Sequence, residues 1–110
     1  MVAAAMGTTC LSNSGKWWGV TYKVAETSRF MIIDTENGEG KSILEANSIS
    51  HMQFCPDDEE QIFYAGPLTD RVWTIRLDGS GKQRVYEKQP QEWITHESWL
   101  PKTNEIAFVD

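Results

Sequence analysis

A chain of 110 residues with 40% hydrophobic content carries enough apolar side chains for one ordinary domain core. Its formal net charge of −6, from 16 acidic and 10 basic residues with no Lys/Arg run, lacks the basic footprint that nucleic acid or an anionic membrane surface requires of a partner. Cys10 and Cys55 are too far apart for a CxxC redox or zinc motif and read as small buried thiols, their pairing left open by the sequence.

In chain order, Gly15-Lys16 forms a turn that feeds a strand over 17–24, with Trp18, Val20 and Tyr22 on one face and Trp17, Gly19 and Thr21 on the other. A buried strand over 29–35 follows. Asn37-Gly38 then makes a hairpin turn, because both residues tolerate positive φ, and Lys41 to Leu44 returns as a short outer strand. The pattern predicts further strands over 50–55, 61–65 and 71–77, a turn at Asp78-Gly79-Ser80-Gly81, a strand from Gln83 to Tyr86, and a last one over 104–109. Apolar residues nowhere sustain helical spacing beyond two turns, and no Pro/Ser-rich linker divides the chain.

The chain repeats itself. Ser50-His51-Met52-Gln53-Phe54-Cys55-Pro56 is echoed by Thr95-His96-Glu97-Ser98-Trp99-Leu100-Pro101, and the two histidines, the only ones present, are 45 positions apart (96 − 51). The glycine turns recur at an offset of 41, pairing Gly38 with Gly79 and Gly40 with Gly81. A period of about 40 to 45 residues with strand content is the signature of β-propeller blades, units that bury their faces only by stacking on neighbours. The predicted fold is therefore all-β: about two and a half four-stranded antiparallel blades of a partial propeller, with a blade remnant at about 1–46, a blade at about 48–88 and a partial blade at about 94–110. Met1 to Met6, apolar but with no basic flank and too short to span a membrane, read as an inner strand of the first blade. Closed propellers have about four to eight blades, so the expectation is a piece of a longer protein whose remaining blades are its partners, and an isolated chain that associates through its uncovered faces.

A histidine at the start of an innermost strand sits near the central channel, where propellers bind ligands, and two in adjacent blades can face one pocket. Such a repeated histidine also serves in other propellers as a packing residue. Asp57-Asp58-Glu59-Glu60 reads as a solvated surface turn rather than a calcium site. Arg71 and Arg76, at opposite ends of one strand pattern, are candidates for an anionic substrate or for the surface. A nucleophile elbow, a phosphate loop and HExxH are all missing from the sequence.

From about Arg29 onward the sequence resembles the oligogalacturonate lyases, seven-bladed propeller enzymes of pectin breakdown. The resemblance rests on His51-x-Gln53-Phe54-x-Pro56-x-Asp58, Gly66-Pro67, Asp70-Arg71-Val72-Trp73 leading to Leu77-Asp78-Gly79-Ser80-Gly81, and His96-Glu97-x-Trp99-x-Pro101. It implies that His51 is the catalytic base that takes the C5 proton of a uronate and that His96 is one ligand of a manganese ion, whose other ligands belong to a Gln-x-x-His-x-His motif of a later blade. It also implies an oligogalacturonide substrate, and of the two arginines read above as possible anion contacts Arg71 is the candidate to bind it.

The implied chemistry is β-elimination, in which a cation on the uronate carboxylate eases proton loss beside a negative charge. An imidazole suits the base, since an ordinary pKa of about 6.5 leaves much of it neutral near pH 7. Gln-x-x-His-x-His does not occur here, and Tyr64-Ala65 stand where the family often has His-Glu before Gly-Pro. The 110 residues alone are accordingly expected to be inactive. The competing reading is a non-catalytic, TolB-like propeller that acts as a protein-binding or scaffold module.

Overall fold

The computed structural model describes residues 9–87, 89–92, 94–100, 102 and 105–109, with the side chains of Thr95 and His96 outside that description. Within those residues the chain runs as β1 (Thr9–Leu11), β2 (Trp17–Val24), β3 (Thr27–Asp34), β4 (Gly40–Ala46), β5 (Ser50–Cys55), β6 (Asp58–Ala65), β7 (Val72–Arg76), β8 (Gln83–Tyr86), β9 (Thr95–Trp99) and β10 (Ile106–Val109), and no helix is found. Consecutive strands pair antiparallel into two four-stranded sheets, β1-β2-β3-β4 and β5-β6-β7-β8, and a two-stranded one, β9-β10. The fold is all-β with the meander expected of blades, two complete and one partial.

The turns follow from the sequence. Gly38 and Gly79 sit at φ 75° and 87°, left-handed values that an L side chain resists, and each closes an outer hairpin. Around the first, the Gly38 N–H donates to the carbonyl of Asp34 at 2.8 Å. Around the second, Gly79 N–H donates to the carbonyl of Arg76 at 2.9 Å.

The core lies between the sheets. Phe30, Ile32 and Leu44 of the first sheet pack against Met52, Phe54, Ile62, Tyr64 and Ile75 of the second. On the other side of the second sheet, Phe63, Ala65 and Val72 meet Ile94 and Trp99. Both faces of β6 are therefore covered, which is why Ile62-Phe63-Tyr64-Ala65 is an unbroken apolar run without alternation. A burial of about 25 cal/mol per Å² of apolar surface makes this stacking the main source of cohesion between sheets that share no backbone ladder.

Several expectations shift in detail. The strand over 17–24 is found as predicted, while the one expected at 29–35 spans Thr27–Asp34 and the one at 71–77 spans Val72–Arg76. The inner strand of the first sheet is Thr9–Leu11, and Met1 to Met6 lie outside the described residues. The acidic run is not a turn. Cys55 pairs with Asp58, so that Pro56 and Asp57 alone make the bend and Asp58 to Glu60 begin β6. Glu59 there accepts hydrogen bonds from the backbone N–H and hydroxyl of Ser14 at 2.5 and 2.6 Å, tying the two sheets together at their hairpin end. The two cysteines remain thiols and are not joined, although Cys10 and Cys55 stand one repeat apart.

Candidate functional site

The first strand of each sheet lies beside the first strand of the next, β1 against β5 and β5 against β9. The histidines occupy the starts of β5 and β9. In β5, Ser50 pairs with Ala65 and Gln53 with Phe63, which leaves His51 and Met52 opposing the single residue Tyr64. That is a β-bulge, and its first residue, His51, has φ 50°. Glycine usually fills this position; a non-glycine residue held there costs about 1–3 kcal/mol, and such strain concentrates at functional sites. The bulge breaks the alternation of the strand, so His51 is exposed while its neighbour Met52 is buried in the core against the first sheet.

The same irregularity recurs in the third sheet. Thr95 pairs with Val109 and Ser98 with Ala107, leaving His96 and Glu97 against Phe108. The repeat therefore includes backbone geometry as well as residue type. Glu97 takes the place of Met52 and likewise faces the preceding sheet.

There Glu97 meets Arg71. The guanidinium grips the carboxylate with both prongs, Nε to Oε1 at 2.9 Å and a terminal nitrogen to Oε2 at 3.3 Å, and its other terminal nitrogen donates to the carbonyl of Gly66 at 3.2 Å. The two side chains are 8% and 0% exposed. Arg71, a candidate for substrate contact, thus has its donors engaged within the protein, on the loop between β6 and β7 that lies at the His51 end of the sheet. Arg76 is at the other end, exposed and 3.0 Å from Glu60. Gly66 permits this close loop, because a Cβ on it would lie 2.4 Å from the backbone oxygen of Asp70.

Gln53 completes the junction. Its amide nitrogen donates to the carbonyl of Glu97 at 2.7 Å, its amide oxygen accepts from the N–H of Trp99 at 3.3 Å, and the Trp99 indole N–H donates back to the Gln53 carbonyl at 3.0 Å. The side chain of residue 53 therefore reaches across to the level of residue 98, its partner one 45-residue repeat on. By the same register, position 51 is level with position 96. In the sequence Gln53 and Glu97 stand out only as members of the two histidine motifs; their place beside the repeated histidines was the available signal.

Burial pushes the Tyr64 phenol up to about 12, with the nearby negative charge of Asp70 adding to it, and this ring stacks on Trp73 at 6.3 Å between centroids. Tyr64 is therefore a packing residue at this position and not an acid or base near neutral pH.

Among the described residues no group of three His, Cys, Asp or Glu side chains converges to hold a metal ion. These residues do not by themselves fit manganese, since a single imidazole is too few donors for a transition metal. Cavities occur elsewhere: one of about 380 Å³ between the first two sheets is lined by Trp17, Asp34, Glu39 and Asp78, and another of about 550 Å³ between the second and third by Val72, Tyr86, Trp99 and Phe108.

Comparison with known proteins gives these features a context. The family profile for oligogalacturonate lyase matches residues 10–110. An oligogalacturonate lyase of Dickeya dadantii is 37% identical over 87 residues, and an oligogalacturonide lyase of Pectobacterium atrosepticum 32% identical over 87 residues, each match covering 74% of this chain. The chain spans only 22% of the length of either relative. Among solved structures, an oligogalacturonate lyase in complex with manganese superimposes with a TM-score of 0.86 at 20% identity, over 98% of this chain and 36% of that one. An oligogalacturonate lyase from Vibrio parahaemolyticus gives 0.82 at 21% identity, over 93% of this chain and 34% of that one. A candidate TolB from Agrobacterium tumefaciens gives 0.75 at 15% identity, over 97% and 38%.

Proposed function

The chain belongs to the oligogalacturonate lyase family, and from that premise we propose that it forms the His51-bearing part of a longer lyase that cleaves oligogalacturonides by β-elimination in pectin breakdown. The observation that carries the reading is the strained bulge at the start of β5, which presents an exposed histidine at φ 50°, together with the recurrence of the same two-against-one pairing at position 96 in the neighbouring strand. A backbone held in a costly conformation to expose one imidazole is better explained by chemistry at that imidazole than by packing.

In this reading neutral His51 takes the C5 proton of a uronate. The electron pair left at C5 forms the C4–C5 double bond as the bond from C4 to the glycosidic oxygen breaks, and that oxygen leaves with a proton from solvent. No water is consumed, and the product is unsaturated. His96 is the one imidazole this chain can offer to the manganese of the complete enzyme, and the remaining ligands must come from residues other than those described. The geometry of Arg71 favours an indirect part over direct contact with a polyanionic substrate. The TolB-like scaffold reading rests on fold likeness at 15% identity alone.

The test begins with the reading frame beyond Asp110, where Gln-x-x-His-x-His is expected one or two blades on. In the full-length protein, His51→Ala should abolish formation of the ultraviolet-absorbing unsaturated product and leave manganese content unchanged, because a base does not hold the ion. His96→Ala should lower manganese content, with part of the rate recovered by excess metal. Full activity and unchanged metal in both variants would overturn the proposal.

A further inference from the structure

Gln53 has no chemistry to offer an elimination, yet its amide is used at both ends. It bonds a carbonyl and an N–H of β9 that flank residue 98, while its own carbonyl accepts the Trp99 indole. It is also the residue at which β5 regains normal pairing after the bulge, opposite Phe63. The bulge is thus bounded by Ser50 pairing with Ala65 on one side and, on the other, by a residue clamped to the adjacent sheet.

Backbone hydrogen bonds within the sheet hold β5 to β6 only, and the apolar contacts between sheets are non-directional, so they resist separation better than sliding. Directional bonds between the sheets at this end come from Gln53 and from the buried Arg71–Glu97 pair. The pair anchors β9 to the loop between β6 and β7, and Gln53 anchors β9 to β5. Together they triangulate the strand that carries His96 against the one that carries His51.

We infer that Gln53 is a positioning residue, which fixes the register of β5 against β9 and so keeps the imidazole of His51 aimed at the site shared with position 96. The inference rests on the elimination reading above for its kinetic consequence, but not for its structural one. A misplacement of about 1 Å at a reacting group costs about 100-fold in rate, so loss of the clamp should appear in kcat before it appears in folding.

The experiment compares Gln53→Met, which keeps length and removes both polar atoms, and Gln53→Asn, which keeps the amide one methylene short, with wild type in the full-length protein. Three readouts are taken well below the melting temperature: kcat and KM for elimination, hydrogen exchange at the Trp99 amide, and the NMR signals of the His51 ring. The expected result is a fall in kcat of about 10- to 100-fold with KM changed less than about threefold, faster exchange at Trp99, and a shifted or broadened His51 ring signal. Should Gln53→Met fail to fold, Gln53→Asn supplies the same three readings. Faster exchange at Trp99 with kcat and the His51 signal unchanged would make Gln53 a structural tie only and overturn the inference. Unchanged exchange would overturn it too, since the clamp would not exist. If wild type shows no elimination, the lyase reading fails by itself, and the His51 signal still decides whether Gln53 positions that ring.

Discussion

Replacing Arg71 with methionine removes the cation from a carboxylate whose side chain is 0% exposed and takes a donor from the Gly66 carbonyl. Breaking a buried pair from one side costs about 3–5 kcal/mol, because the remaining charge is left without compensation. Glu97→Leu does the reverse, stranding the buried guanidinium of Arg71, and should cost a similar amount. Independent effects would add to about 6–10 kcal/mol, most or all of the roughly 5–15 kcal/mol that holds a domain folded. The double variant Arg71→Met/Glu97→Leu instead places two apolar side chains beside the cluster of Phe63, Val72, Ile94 and Trp99 and should lie within about 2 kcal/mol of wild type, since a well-packed apolar replacement of a buried pair is often neutral or better. The assay is urea unfolding followed by tryptophan fluorescence, with a constant m-value as the check that midpoints report stability. A double variant destabilised by the sum of the singles would show that the two residues do not compensate one another, and the account of this junction would be wrong.

Three other outcomes are expected. Gly66→Ala, which forces a Cβ to within 2.4 Å of the Asp70 carbonyl oxygen, should destabilise by about 1–3 kcal/mol in the same urea titration. The Cys10 thiol, pushed up to about 11 by burial against the opposing pull of hydrogen bonds with the Phe54 and Gly19 backbone, should react with a disulfide reagent at pH 8 far more slowly than a free thiol of ordinary pKa about 8.5, and a rate equal to that of the free thiol would refute its burial. The hydrogen bonds from Ser14 hold the Glu59 carboxyl below its ordinary value, so the folded state binds that proton less readily than the unfolded one. The stability this supplies is present above the ordinary carboxylate range and is lost as pH falls through the lowered value. Ser14→Ala should flatten that part of the acid-unfolding curve, and an unchanged curve would remove Glu59 from the account.

What the sequence disclosed was whatever depends on neighbours along the chain. The strand Trp17–Val24 and the turns at Gly38 and Gly79 are local matters of period two and positive φ, and they were legible. The three-residue β1 was not, because Thr9-Cys10-Leu11 is too short to show a period and is a strand only by pairing with Trp18, Gly19 and Val20. Asp58 to Glu60 were misread as a turn because their charge masks a backbone held by the pairing of Asp58 with Cys55 and by the Leu77 N–H, which donates to the Glu60 carbonyl. At the candidate site the two histidines declared themselves through the repeat, but the bulge that exposes the first of them is invisible in its letters. It exists because β6 offers one residue where β5 offers two. Arg71 looked available for an anion because its partner is 26 residues away in another sheet, a distance at which sequence pattern carries no information.

The two-sided burial of β6 has a consequence for how the chain is made. Tyr64 and Ile62 find their cover in residues synthesised earlier, but Phe63 and Ala65 wait for Trp99, which leaves the ribosome 36 positions after Phe63. At a synthesis rate of about 5–20 residues per second that is a delay of about 2 to 7 s, during which one side of an apolar strand is complete in sequence and still wet. Slow codons between Ala65 and Trp99 would lengthen that exposure without altering a single residue of the finished protein.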